Sequence, residues 1–314
     1  RLDMQVCELN QYDYVLIAGP DSISFLQGQV TCDMTQLTDE QGLSGALCNL
    51  KGRVIGDFLC VRTTEGCLLQ ISDGNGHNIA QTLSKYAVFS QVEISIHRRP
   101  CAAFGIVAEK LPLLHKILPA PPSLSHHTAT STAASIIKLA GSPGRFQLWV
   151  WKPENVELIT EILRDKSTEG VLLDTNQWDY AEILSGRAHV SAQSSEEFTP
   201  QLLNYDLSGV VNFGKGCYTG QEVVARMHYK AEAKKRMFLL FAKVTSEALS
   251  AESELKLTQH NRLIKAPVVQ QARGPGNTTA MLAILPAAIG SENEQILLEQ
   301  NPDLELTVRP LRYT

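Results

Sequence analysis

The stretch that decides the reading is Val210-Val211-Asn212-Phe213-Gly214-Lys215-Gly216-Cys217-Tyr218-Thr219-Gly220-Gln221-Glu222-Val223-Val224-Ala225-Arg226. Its apolar start predicts a strand ending at Phe213, its glycines a turn, and the residues beyond them a helix. Thr219 and Glu222 have the spacing of a capping box, which sets Thr219 at the N-cap. Glu222 and Arg226 lie at i and i+4 with the acid first, the favourable order for a helical ion pair. Cys217 then sits two residues before a helix N-terminus with Lys215 beside it, and both the helix dipole and the cation favour thiolate over thiol. That is the recipe for a reactive cysteine. A buried structural thiol in a tight turn has the same spacing, so the residues alone leave both readings open.

Outward from this stretch the pattern is mixed. Val15 to Ile17 reads as a short buried strand, and Ser22 to Gln27 as a helix with Asp21 or Ser22 at its N-cap and Gly28 as terminator. Cys48 to Arg62 alternates around Gly52 and Gly56, which predicts a pair of strands. Leu68 to Ile71 reads as another strand, closed by the turn Ser72-Asp73-Gly74-Asn75-Gly76. Helical spacing follows over His77 to Tyr86, Val156 to Leu163 and Gln177 to Leu184, with a strand at Phe146 to Trp151. Pro119 to Ser135 is rich in Pro, Ser, Thr, Ala and His and reads as a linker. Beyond about Lys235, short apolar segments such as Phe238 to Ala242, Ala266 to Val269 and Leu304 to Val308 alternate with polar turns, as in a small β-barrel or sandwich. The fold class is α+β, with residues 1–235 as two α+β subdomains and 236–314 as a β unit.

Composition bounds the function. The chain has 314 residues, 44% hydrophobic and 19% charged, which is globular and long enough for more than one core. A net charge of -5 argues against nucleic-acid binding by the whole-molecule field. The seven cysteines, Cys7, Cys32, Cys48, Cys60, Cys67, Cys101 and Cys217, form no C-x-x-C pair and are odd in number, which fits a reducing compartment. No metal-ligand spacing appears among them or the scattered histidines, and no metal site is expected. No apolar run approaches the length needed to span a bilayer, so no membrane association is expected. Arg226, Lys230 and Lys234 are spaced by four with Lys235 and Arg236 adjoining. On a continued helix they would form a cationic stripe suited to phosphates or a polyglutamate tail, or simply a solvated helix end.

The run Lys215-Gly216-Cys217-Tyr218-Thr219-Gly220-Gln221-Glu222 resembles the signature of the YgfZ family, relatives of the glycine-cleavage T-protein that include a mitochondrial iron-sulfur assembly factor. Gln27-Gly28-Gln29-Val30-Thr31, Lys85-Tyr86-Ala87-Val88-Phe89-Ser90, and Phe198-Thr199-Pro200-Gln201 with Asn204 extend the resemblance along the chain. It implies an aminomethyltransferase-like fold of ferredoxin-like units with a C-terminal β-barrel, arranged around a central channel. It also implies tetrahydrofolate as cofactor and a role in maintaining iron-sulfur enzymes, including those that methylthiolate tRNA. Cys217 would be the functional thiol, with Lys215 beside it. The partners would be folate and iron-sulfur enzymes or assembly proteins, the tRNA link being indirect. The compartment would be the cytoplasm, or the mitochondrial matrix if a targeting segment was removed. By register Trp178 matches one folate-linked aromatic of the family, and Tyr12 stands in place of a second; a flat face suits stacking on a pterin.

Two departures from the T-protein pattern matter. Its Asp-Asp pair, one member of which supports aminomethyl transfer, is here Gly56-Asp57, which speaks against a transferase. Its pterin-gripping glutamate falls on Leu184, and Glu182, two residues away, would face elsewhere on a regular helix. A folate-dependent aminomethyltransferase and a direct tRNA-binding module working through the 226–236 cations stand as alternatives.

Overall fold

Strand alternation accounts for most of the architecture. The computed structural model describes residues 3–72, 74–230, 232–244, 254–291, 296–299, 301–304 and 306–314. Asp73 of the predicted turn and Glu305 of the last predicted apolar segment lie outside the described residues. The first part of the chain runs β1 (Gln5–Glu8), β2 (Tyr12–Ala18), α1 (Ser22–Gln27), β3 (Leu43–Cys48), β4 (Val54–Arg62), β5 (Gly66–Ser72), α2 (Gly76–Tyr86) and β6 (Glu93–Ser95). It continues through β7 (Ala102–Val107), β8 (Thr128–Thr130), β9 (Ala134–Leu139), β10 (Arg145–Val150), α3 (Val156–Lys166) and α4 (Thr175–Leu184). After α5 (Gln221–Lys230) come β11 (Lys235–Ala242), β12 (Glu254–Gln259), β13 (Arg262–Arg273), β14 (Thr279–Pro286), β15 (Leu297–Leu298) and β16 (Leu306–Arg309).

Two five-stranded antiparallel sheets, ordered β3-β4-β5-β2-β6 and β1-β7-β10-β9-β8, stack face to face. On β2, Tyr14 and Leu16 point into the space between the sheets, where they meet Ala103, Ile137 and Trp149. The intervening Val15 and Ile17 point outward against α1 and α2. This two-residue period buries both faces of the strand. The outer face of the second sheet is covered by Ile159 and Leu163 of α3. Between the sheets Gln70 and Gln147 exchange amide hydrogen bonds at 2.7 and 2.8 Å, which satisfies two buried polar groups mutually.

The third sheet is ordered β15-β12-β13-β14-β11-β16. On β11, Phe238, Leu240 and Ala242 face one core, while Met237 and Leu239 face another that holds Ile183 of α4 and Val224 of α5. It is a curled half-barrel, and its edge strands β15 and β16 do not pair with each other among the described residues, so the expected barrel is open.

The segment 119–135, expected as a linker, instead extends the second sheet and stitches it to the first. Its β8 pairs with β9, and the His126 carbonyl accepts a bond from the Gly42 amide while its own amide donates to the Lys138 carbonyl, both at 2.7 Å. Composition hid this, because a three-residue edge strand carries no periodic signal.

Candidate functional site: a charged cleft and a displayed cysteine

A cleft with a cavity volume of about 60 Å3 lies between the stacked sheets and the segment that follows α4. Each wall contributes a polar side chain: Tyr12 from β2, Asp57 from β4, Arg145 from β10, Glu182 from α4, and Arg187 and His189 beyond it. Positive φ at Gly186 turns the chain back after α4, and Tyr313 donates to its carbonyl at 3.0 Å, so Arg187 to His189 line the cleft rather than extend the helix.

The charges are paired. The Arg145 guanidinium, 1% exposed, bonds Glu182 at 2.6 Å and donates to the Ala140 carbonyl at 2.6 Å. Burial pushes the Glu182 carboxyl up, but Arg145 and His189 more than reverse this and hold it below its ordinary value. His189 Nδ1 lies 2.7 Å from Asp57 Oδ2, and the Val190 amide donates to Asp57 Oδ1 at 2.7 Å. Burial opposes a charge on His189, yet the Asp57 carboxylate, aided by Glu182, raises the imidazole well above its usual range. His126, bonded to Ser44 at 2.9 Å, is driven the other way, to about 4, by burial and by Arg187 and Arg145. Three buried nitrogens of these cleft side chains, Arg145 Nε, Arg187 Nε and His189 Nε2, have no hydrogen-bond partner among the described residues.

The cysteine loop is held by its neighbours. The Lys215 ammonium donates to the carbonyls of Gln27, Val30 and Cys32 at 2.8, 2.7 and 2.7 Å, closing the C-terminal end of α1. Its three donors are therefore spent on backbone rather than on Cys217. Thr219 bonds Gln29 at 3.2 Å instead of capping α5, which starts at Gln221, so the expected capping box is not formed. Gly220 takes the turn with φ +82°, and a side chain there would strike the Asn49 carbonyl. The Glu222–Arg226 ion pair does form, at 3.1 Å. Tyr218 is buried, with the Lys215 ammonium 5.1 Å from its ring, and Cys217 is exposed. Two distant sequence blocks, Gln27 to Thr31 and Lys215 to Glu222, thus meet and present one thiol. Asn212, at the start of this loop, lines an opening that shares Ser44, His126, Ala140, Arg187 and Ser208 with the cleft.

Trp178 is fully buried, and its Nε1 donates to the Tyr12 hydroxyl at 3.0 Å. Gly105 lies so close under its ring that a side chain there would overlap it. Of the two expected aromatics, Tyr12 lines the cleft and Trp178 supports it from behind.

Three sequence expectations change. Glu182 faces the cleft, whereas Leu184 packs into the core against the third sheet. The signal was available, since Trp178 and Glu182 are four apart and share one helical face. Gly56 points away from the cleft, because a side chain there would lie 2.5 Å from Ile79 of α2; the acid that faces inward, Asp57, is present. The helical cationic stripe does not exist: α5 ends at Lys230, β11 begins at Lys235, and Arg236 is bound in a fork to Asp206 at 2.8 Å. His189 and Arg145 were not legible beforehand, since no local pattern links them to Asp57 and Glu182.

No family model matches the chain. Individual relatives do. A tRNA-modifying protein YgfZ from Klebsiella pneumoniae is 31% identical over 259 residues, which cover 82% of this chain and 77% of that protein. The chain belongs to the YgfZ family. The YgfZ of Escherichia coli O157:H7 is 31% identical over 266 residues, 83% of this chain and 79% of its own. That of Pectobacterium carotovorum is 28% identical over 315 residues, spanning 100% of this chain and 92% of the relative. Among solved structures, the glycine cleavage system aminomethyltransferase T from Bartonella henselae superposes with a TM-score of 0.76 at 15% identity, covering 100% of this chain and 88% of that one. This YgfZ family member therefore has the α+β T-protein fold. Among the described residues no helix is long and apolar enough to cross a membrane.

Proposed function

We propose that this YgfZ family member binds tetrahydrofolate in the cleft and serves iron-sulfur cluster assembly or repair, with Cys217 as its functional thiol. Iron-sulfur enzymes, including those that modify tRNA, would be its clients in a reducing compartment such as the cytoplasm. The observation that carries the folate reading is the set of unpartnered donors on Arg145, Arg187 and His189 in one buried cleft. Buried donors are almost always satisfied, so three together call for a ligand with several acceptors. The Tyr12 ring and the Glu182 carboxylate add an aromatic surface and an acceptor, and a pterin with its lactam and amino edge matches that chemistry. The residues present fit the cofactor. Bound folate would supply one-carbon carriage; Arg145, Glu182 and His189 would hold its ring, and Trp178 would fix Tyr12.

The test is a tetrahydrofolate titration followed by tryptophan fluorescence, paired with iron-sulfur enzyme activity in cells lacking the protein. Micromolar affinity, about 8 kcal/mol, is expected for the parent chain. Cys217→Ser is expected to bind folate normally and to fail in rescue. Absence of saturable binding sinks the folate reading, and full rescue by the serine variant sinks the thiol.

A second reading draws on Asp57. Because Gly56 faces α2, its lack of a carboxylate removes nothing from the cleft, and the inward acid is retained. Folate-dependent ammonia release from an aminomethyl-lipoyl carrier tests transferase activity directly; sustained turnover would favour it over the assembly role. For the direct RNA reading, Arg226, Lys230, Lys234 and Lys235 of the former stripe are exposed, Arg226 in its pair with Glu222.

A further inference from the structure

Asp57 and His189 are 132 residues apart and meet at 2.7 Å through Nδ1. The opposite ring nitrogen, Nε2, is buried without a hydrogen-bond partner, and Glu182 Oε1 stands 3.7 Å from it, close enough to attract but beyond bonding reach. His189 lines the cleft, and a carboxylate that fixes one nitrogen of an imidazole while the other is left unbonded is an arrangement by which proteins aim a proton. The second Asp57 oxygen is anchored by the Val190 amide, and the His189 amide by Gln270 at 2.8 Å, so the pair is held from both sides.

The surroundings set the sign. Asp57 on β4 and Glu182 on α4 are the anions, Arg145 on β10 and Arg187 beyond α4 the cations, and Tyr12, Tyr205 and His126 complete the titratable groups lining the cleft. Burial raises both phenols, so they stay neutral, and His126 is uncharged because its value is lowered to about 4. With His189 protonated, three cations oppose two carboxylates, and the cleft favours a ligand atom that is basic or carries partial negative charge.

We propose that His189, oriented by Asp57, is the proton-donating group of this cleft and delivers its Nε2 proton to an acceptor atom of a folate-class heterocycle. This rests on the folate reading. In the step the Nε2–H bond breaks, the ligand atom takes the proton, and the imidazolium becomes neutral imidazole, still held by Asp57 through Nδ1.

The experiment uses the full chain and 5-formyltetrahydrofolate as probe, by calorimetry from pH 6 to 9 in two buffers of different ionisation heat, with histidine NMR on the ligand-free protein. In the parent chain, affinity should fall about tenfold per pH unit above the His189 titration, with one proton taken up per ligand there. Asp57→Asn, which keeps shape and can still accept from Val190, should move the His189 titration and the break in affinity to lower pH. His189→Gln should bind more weakly with a flat profile; should it not fold, the asparagine variant decides. A His189→Gln chain that binds with the parent's affinity and pH profile overturns this inference and leaves the folate reading standing. If no chain binds the probe at any pH, both fall.

Discussion

Glu182→Gln offers the sharpest test of how the cleft is held together. The substitution keeps the shape and removes one charge from an ion pair whose side chains are 1% and 4% exposed and 2.6 Å apart. Breaking a buried pair costs about 3–5 kcal/mol, because the remaining charge is left uncompensated. Arg145 would keep its bond to Ala140 and could still donate to the amide oxygen at position 182, but it would lose the compensating charge. The loss should therefore fall at the lower end of that range, about 3 kcal/mol. With a urea slope of about 3 kcal/mol/M, the unfolding midpoint should drop by roughly 1 M. The assay is urea unfolding followed by the fluorescence of Trp149 and Trp178, both buried between the stacked sheets. Replacing both partners, Arg145→Met with Glu182→Leu, should recover most of the loss, since no bare charge remains. A midpoint shift below about 0.3 M, near 1 kcal/mol on the same slope, would refute the reasoning. So would a double variant no more stable than the single one.

Stability should also fall on acidification. His126 is held down to about 4, while an unfolded histidine titrates near 6.5, so below that pH the unfolded chain takes up a proton the folded chain refuses. The loss should accumulate between about pH 6.5 and 4 and reach at most roughly 3 kcal/mol; an unaltered pH profile in His126→Gln would show that another group is responsible. His189 acts oppositely: its stabilisation is complete below about pH 6.5 and fades as pH rises through its raised value. Lys215→Met should lower stability by about 2–4 kcal/mol through three lost charge-assisted bonds and loosen the Cys217 loop, which hydrogen exchange at Gln29 to Thr31 would report. In the native protein Cys217 and Cys101 should alkylate with iodoacetamide while the five buried cysteines wait for unfolding, as peptide mass mapping would show; early labelling of Cys32 or Cys48 would contradict the packing.

The features legible in the residues alone are local ones. The strand read at Val15–Ile17, the apolar segment Phe238–Ala242, the helical period of Val156–Leu163, and the Glu222–Arg226 pair all form as their spacing requires, because each depends on atoms a few residues apart. The cysteine motif marked a loop on which the fold leaves Cys217 exposed, and its resemblance pointed to the family. What the motif's residues touch was settled by the folded chain. Thr219 has the spacing of a cap but bonds Gln29, 190 residues away, and Lys215 closes the end of a helix that starts at Ser22. The cleft is more dependent still. Asp57, Arg145, Glu182 and His189 come from a strand of each stacked sheet, a helix and the turn after it. Their attraction in a poorly solvated space follows from how the sheets stack, and no local period encodes it.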